Sequence, residues 1–160
     1  MEGRRVSESA AEYSELALPN DANIIGNLLG GKIMHLVDLA AAISATKHAR
    51  HVCVTASVDH MEFLHPVKIG QWVRLRASVN RAFRTSMEVG VKVWVEDLIR
   101  GEQQHVSSAY LTFVAIDAEG HGVPVPCLIP ETDDEKRRYE EAGARREYRL
   151  AHREKRGLRT

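Results

Sequence analysis

The sequence predicts an α+β fold in which an antiparallel sheet wraps around one long, buried helix. Three observations support this prediction: one long apolar segment near the amino terminus, four strand-like segments after it, and short turns between those segments. Short turns join antiparallel strands, whereas parallel strands need a long crossover. A chain of 160 residues, 44% apolar and 28% charged, has the composition of one globular domain with a sizeable core.

The first strand is predicted within residues 8–18, where polar and apolar side chains partly alternate. Pro19 ends this strand, and a turn rich in Asn, Asp and Gly follows. A helix is then predicted from about Gly30 to Ala49. Its central part contains only two polar residues, Asp38 and Ser44, and a helix that is apolar on nearly all sides is expected to be buried.

The rest of the sheet is predicted from the alternation of apolar and polar side chains. The predicted strands cover residues 52–63, 71–81, 86–96 and 104–117. We place one domain at residues 8–126 and a charged tail at residues 127–160. Because acidic and basic residues recur at helical spacing in this tail, we expect a helix there. That helix is either mostly solvated, which is the plainer interpretation, or packed on a neighbouring subunit.

Charge and cysteine content argue against several classes of function. The formal net charge is zero, so nothing indicates nucleic acid or an anionic membrane as a partner. We expect no signal peptide and no membrane span, because no apolar run approaches the roughly 20 residues that a span needs. Cys53 and Cys127 form no CxxC pair and the histidines show no metal-ligand spacing. We therefore expect no metal site and a reducing, cytoplasmic setting.

The turn before the long helix, together with Asp38 inside it, indicates chemistry. A helix that begins at Gly30 and Gly31 presents free backbone N–H groups and a positive dipole end, which can hold a developing oxyanion. The Asp38 carboxylate can activate water, and Asn23 can orient that water or polarise a carbonyl group. Together they suggest hydrolysis of an acyl compound. Taken singly, each has a plainer role: a helix cap or Asx-turn for Asn23, ordinary turn residues for the glycines, and a buried bridging acid for Asp38.

These residues lie in a pattern that resembles the acyl-CoA thioesterases of the hotdog fold. The resemblance is to the acyl-CoA hydrolase group, which includes bacterial short- and medium-chain enzymes and the two-domain brain-type enzymes of animals. It runs from about Ser9 to Pro126. The matching motifs are Asp21-Ala22-Asn23, Gly26-Asn27, Gly30-Gly31, Ile33-Met34, Asp38, Phe63-Leu64-His65-Pro66-Val67, Gly70, Arg84-Thr85-Ser86-Met87, Val93-Trp94-Val95-Glu96 and Ala115-Ile116-Asp117-Ala118-Glu119-Gly120.

The resemblance implies a dimer whose two sheets join edge to edge, with active sites at the interface and hexamers formed from three dimers. It implies Asn23 and Asp38 as the catalytic pair, supplied by opposite subunits, with Asn27 as the rival to Asn23. It also implies an acyl-CoA substrate and no separate cofactor, since coenzyme A is part of the substrate.

The resemblance also places the nucleotide part of coenzyme A at Arg84, Thr85 and Ser86. An arginine and hydroxyl groups suit phosphate, although a solvated strand start is the plainer interpretation. The acyl group would lie against Met34, Met61 and Phe63. Two other functions stay open: an acyl-thioester hydratase, for which the usual motif of a His with an acid is missing, and a non-catalytic acyl-CoA-binding protein. Hydrolysis would require Asp38, whereas binding alone would not.

Overall fold

A five-stranded antiparallel sheet curls around one long helix in the computed structural model, which describes residues 1–155 apart from the side chain of Glu154. In chain order the elements are β1 (Arg4–Arg5), α1 (Val6–Ser9), β2 (Ala11–Leu16), a 3-10 helix (Pro19–Asp21), α2 (Gly30–Ala49), β3 (Val52–Val58), β4 (Trp72–Ala82), β5 (Ser86–Asp97), β6 (Glu102–Ile116), β7 (Leu128–Ile129) and α3 (Asp133–Lys155). The sheet has the strand order β2-β4-β5-β6-β3, and β1 pairs separately with β7 in parallel. The predicted fold class is confirmed.

Helix α2 occupies the predicted range and forms the centre of the core. Leu36, Val37, Ala40 and Ala41 are almost fully buried against the inner face of the sheet. The helix ends at Ala49, and the next residue, Arg50, adopts a left-handed backbone conformation with a φ of 58°. One side of α2 is more exposed to solvent than the sequence predicts. The long apolar side chains of Met34 and Ile43 on this side are both exposed.

Strand β3 is shorter than predicted, since it ends at Val58 and not near residue 63. Its ladder with β6 is already irregular between Thr55 and Ser57. Beyond the strand, single contacts replace the ladder: Leu64 donates its N–H to the carbonyl of Val106, and the chain then leaves the sheet. Alternation of side chains does not reveal this departure, because it depends on hydrogen-bond partners that are distant in sequence.

Helix α3 forms within the predicted tail and packs one side on the outer face of its own sheet, while about half of its residues stay exposed. Its sheet-facing side contains Tyr139, the buried Ala142 and Arg145. An arginine can bury its aliphatic stem and stack on an aromatic ring while its guanidinium remains paired, so a charged face need not be a solvated one. The predicted tail continues to residue 160, and residues 156–160 lie outside the described part of the chain.

Within residues 1–155, no helix combines the length and apolar character needed to cross a membrane.

Candidate active site

Asn23 organises the turn that precedes α2. Its side-chain carbonyl oxygen accepts hydrogen bonds from the backbone N–H groups of Ile25 (3.1 Å) and Asn27 (3.0 Å). Gly26, with a φ of 82°, completes this tight Asx-turn. The side-chain NH₂ group of Asn23 has no hydrogen bond within residues 1–155, and the residue is exposed. The turn therefore uses the acceptor of this amide and leaves its two donors available.

The N-terminus of α2 is open in the single chain. Leu29 precedes it with an extended backbone, and no side chain caps the first turn. A Cβ atom added at Gly31 would meet nothing within 4 Å, and one at Gly30 would touch only the ring of Phe63 at 3.5 Å. The first N–H groups of a helix have no partner within the helix, and the dipole makes this end positive. A carbonyl oxygen that develops negative charge would be stabilised here.

Lys32 ties the turn to the sheet close to this helix end. Its ammonium group lies 2.9 Å from the carboxylate of Glu15 on β2 and 3.4 Å from that of Asp21 in the turn. The hydrogen bond that Lys32 donates to Glu15, followed by the one that it donates to Asp21, raises the pKa of Lys32. The turn that contains Asn23 is thereby held against both α2 and β2.

Asp38 projects from α2 toward β3, where a threonine meets it. The hydroxyl of Thr55 donates a hydrogen bond of 2.6 Å to Oδ1 of Asp38. This contact fixes the carboxylate and leaves Oδ2 free to accept a proton from water. Thr55 was not among the site residues predicted from the sequence. The sequence could have identified Thr55, because side chains alternate along a strand. Thr55 lies on the opposite face from Val54, and this is the face of β3 that packs against α2.

One chain does not bring the two predicted catalytic residues together. Asp38 lies eight residues after Gly30, so about 12 Å of helix axis separates the carboxylate from the helix N-terminus. Within residues 1–155 no hydrogen bond joins Asn23 to Asp38. The turn that contains Asn23 and the middle of α2 that contains Asp38 are therefore two separate candidate sites in one chain.

Strand β3, whose Thr55 contacts Asp38, forms an open edge of the sheet, since it pairs with β6 on one side only. Apolar side chains that would normally be buried are exposed around this edge. They are Met34, Val52, Val54, Val58 and Phe63. An open edge with exposed apolar side chains is a surface suited to pairing with another chain.

The predicted nucleotide-binding segment is only partly gathered at one place. Thr85 and Ser86 line a groove beneath α3. Arg84 is exposed and does not line this groove, and its backbone carbonyl accepts a hydrogen bond from Val125. Of the three predicted residues, the structure brings two together. Within residues 1–155 no group of three His, Cys, Asp or Glu side chains is arranged to hold a metal ion.

The sheet and the central helix match known proteins closely. The family model described as "Thioesterase superfamily" matches residues 25–101. A Bacillus subtilis relative named "Uncharacterized acyl-CoA thioester hydrolase YkhA" is 42% identical over 134 residues, which are 84% of this chain and 78% of the relative. The chain belongs to the thioesterase superfamily. Together with relatives named acyl-CoA thioester hydrolases, this assignment makes it an acyl-CoA thioester hydrolase with the hotdog fold.

Solved structures agree with this assignment. The acyl-CoA hydrolase of Staphylococcus aureus, solved with butyryl coenzyme A, coenzyme A and coenzyme A disulfide, is 38% identical, with a TM-score of 0.89 over 96% of this chain and 94% of that one. An apo-hexameric acyl-CoA thioesterase is 39% identical, with a TM-score of 0.90 over 99% and 100% of the two chains. Further structures of the S. aureus enzyme each carry one alanine substitution, at an Asn, at an Asp 15 residues later and at a Thr 17 residues after that.

Proposed function

We propose that this enzyme hydrolyses fatty acyl-CoA to a free fatty acid and coenzyme A with Asp38 as the general base. One observation carries the proposal. Asn23, Asp38 and Thr55 have the same residue types and the same spacings, 15 and 17 residues, as the three residues substituted in the S. aureus enzyme. The hydrogen bond between Thr55 and Asp38 supports it independently, because it orients the one carboxylate of helix α2.

The reaction follows from the chemistry of these groups. Asp38 accepts a proton from a water molecule, and the water oxygen attacks the thioester carbonyl carbon. The carbonyl oxygen becomes an oxyanion, which the N–H groups at Gly30 and Gly31 and the amide donors of Asn23 stabilise. The C–S bond then breaks, and the coenzyme A thiolate leaves and is protonated. Thr55 positions Asp38 and does not touch the substrate.

The active site is completed by two subunits in this proposal. The separation of about 12 Å along α2 prevents the turn and Asp38 of one chain from acting on the same carbonyl group. We propose that Asp38 faces Asn23 of the partner subunit across a dimer formed at the open edge of β3. The hexameric assembly named for related thioesterases supports a further association of three such dimers.

A thiol-release assay tests the proposal. We expect the wild type to release coenzyme A from substrates within the series from acetyl-CoA to palmitoyl-CoA, and the Asp38→Asn variant to lose most of that release. Asp38→Asn changes one oxygen to NH₂ and preserves the size of the side chain. Binding of acyl-CoA by both proteins without release by either would instead indicate a non-catalytic binding protein, and hydration without thiol release would indicate a hydratase.

A cytoplasmic setting remains our expectation for this enzyme. Both cysteines, Cys53 and Cys127, are free thiols, which suits a reducing compartment.

A further inference from the structure

A groove of about 880 Å³ lies between α3, β3 and the start of β5, and we call it the α3 groove. Its polar lining includes Ser57, Asp59, Thr85, Ser86, Arg146 and Arg153. The groove therefore combines hydroxyl groups from the sheet with guanidinium groups from the carboxyl-terminal helix. The proposed reaction does not use any of the residues that α3 contributes.

Two arginines at the α3 groove, Arg145 and Arg149, are paired with carboxylates. Arg149 lies 2.8 Å from the carboxylate of Asp59 and 3.2 Å from that of Glu88. Arg145 lies 2.7 Å from Glu88 on the other side. Arg146 differs, because no carboxylate among the side chains that the structure describes lies at ion-pair distance from it. The half-buried guanidinium of Arg146 thus brings into the groove a positive charge that none of the described acidic side chains neutralises.

Arg146 is also held in place with most of its donors unused. Its Nη1 donates a hydrogen bond of 3.3 Å to the hydroxyl of Ser86. Its guanidinium stacks on the ring of Phe83, 4.2 Å from the ring centre. A guanidinium has five N–H donors in a fixed plane, so several remain for a ligand. Burial, followed by the charge of Arg149, lowers the pKa of Arg146, and a bound anion would offset both effects.

We propose that Arg146, with the hydroxyls of Thr85 and Ser86, recognises a phosphate group of the coenzyme A part of the substrate. This inference rests on the proposed function and makes α3 part of the substrate site. Guanidinium and hydroxyl donors together form the usual protein surroundings of phosphate. Arg146 would then select acyl groups carried on a phosphorylated nucleotide over the same acyl groups carried on pantetheine alone.

The test compares three substrates: butyryl-CoA, butyryl-3′-dephospho-CoA and butyryl-pantetheine. We expect Arg146→Gln to raise the KM for butyryl-CoA about tenfold, the effect of one lost hydrogen-bonded charge, with little change in kcat. The kinetic constants for butyryl-pantetheine should be those of the wild type, and Arg146→Lys should recover part of the loss. Arg137→Gln is the matched control, because Arg137 lies on the exposed side of α3 and pairs with Asp134 and Glu141.

Several results would overturn the inference. One is an equal loss on all three substrates, which would show that Arg146 only supports the fold. Another is an unchanged KM for butyryl-CoA in Arg146→Gln. A third is that Arg146→Gln abolishes inhibition by free adenosine 3′,5′-bisphosphate but leaves the KM unchanged, which would assign the groove to a separate nucleotide.

The inference remains testable if the proposed function fails. Calorimetric titration with coenzyme A measures binding without any turnover. A wild type that hydrolyses no thioester would contradict the proposed function. The phosphate site would still be supported if that wild type binds coenzyme A about tenfold more tightly than Arg146→Gln does, while Arg137→Gln keeps the wild-type affinity. Equal affinities for coenzyme A in all three proteins would contradict the phosphate site.

Discussion

The guanidinium of Arg145 donates three hydrogen bonds to the fully buried carboxylate of Glu88 on the outer face of the sheet, with nitrogen–oxygen distances of 2.7, 3.1 and 3.2 Å. The same guanidinium lies 3.7 Å from the ring centre of Tyr110. Glu88 also accepts hydrogen bonds from Asn80 and Arg149. A carboxylate can be buried at low cost only when it is paired and hydrogen-bonded, so this cluster is what fastens α3 to the sheet.

We therefore expect Glu88→Gln to destabilise the protein. The substitution keeps the shape of the side chain but leaves two arginines without their shared charge. Breaking a buried pair on one side costs about 3–5 kcal/mol, and partial exposure of the arginines places this case near the lower figure. Urea unfolding measures the effect. Glu141→Gln is the control, since its pairs with Arg137 and Arg145 are more exposed, and we expect a loss of at most about 1 kcal/mol. Equal losses in both variants would contradict this account of α3.

Thr55 should matter for catalysis through its hydroxyl. Thr55→Val is close in shape and removes the donor to Asp38, so we expect kcat to fall by about 10- to 100-fold, the value of a hydrogen bond to a charged group. Thr55→Ser retains the hydroxyl and should retain most of the activity. Thiol release under saturating butyryl-CoA measures both. If Thr55→Ser were as impaired as Thr55→Val, the methyl group and not the hydrogen bond would be the feature that counts.

The open edge of β3 should be required for both assembly and activity. Val54 is 42% exposed in the single chain, and Val54→Asp would place a charge in the proposed subunit interface. We expect smaller particles in light scattering after size-exclusion chromatography, together with loss of thioester hydrolysis. Ile99→Asp is the control, because Ile99 is 98% exposed at the turn between β5 and β6. A monomeric Val54→Asp variant with full activity would show that one chain suffices.

The buried His48 should make stability depend on pH. Its Nε2 donates a hydrogen bond of 2.8 Å to the carbonyl of Pro126, whereas Nδ1 has no partner within residues 1–155. Burial lowers the pKa of His48 below its ordinary value of 6.5, despite the opposing effect of the Pro126 carbonyl. The unfolded chain then binds a proton at a pH where the folded chain does not. The free energy of unfolding is therefore not reduced by His48 above pH 6.5. It decreases as the pH falls below 6.5, until the pH passes the pKa of His48 in the folded protein.

Urea unfolding at several pH values measures this dependence, and His48→Gln supplies the comparison. The variant should be less stable at neutral pH, because it disturbs a tightly packed site, but its midpoint should vary less between pH 7 and pH 5 than that of the wild type. The same slope in both proteins would assign the acid sensitivity to other groups. His121 at the surface is a control, since His121→Gln should leave the wild-type slope nearly unchanged.

Local pattern alone determined the central elements of this fold. Helix α2 was predicted from Gly30 to Ala49 because its glycine-rich start and its apolar run are adjacent in the chain. The alternation in β4, β5 and β6 likewise lies within each strand, and the turns between them are short. The motif around Asn23 and Asp38 is local too. The family could therefore be recognised from the sequence, and the catalytic roles of Asn23 and Asp38 stay predictions that the thiol-release assay tests.

Tertiary structure decided the features that depend on partners distant in the chain. Arg145 meets a carboxylate 57 residues earlier, and only this pairing turns a charged helix face into a packed one. Asp38 finds Thr55 17 residues later, across the interface between a helix and a strand. Arg146 differs from its neighbours because they have acidic partners from the sheet and it does not. Hydropathy assigns every arginine to solvent, so it cannot distinguish these cases. The charge balance of a surface is set by which side chains folding brings together.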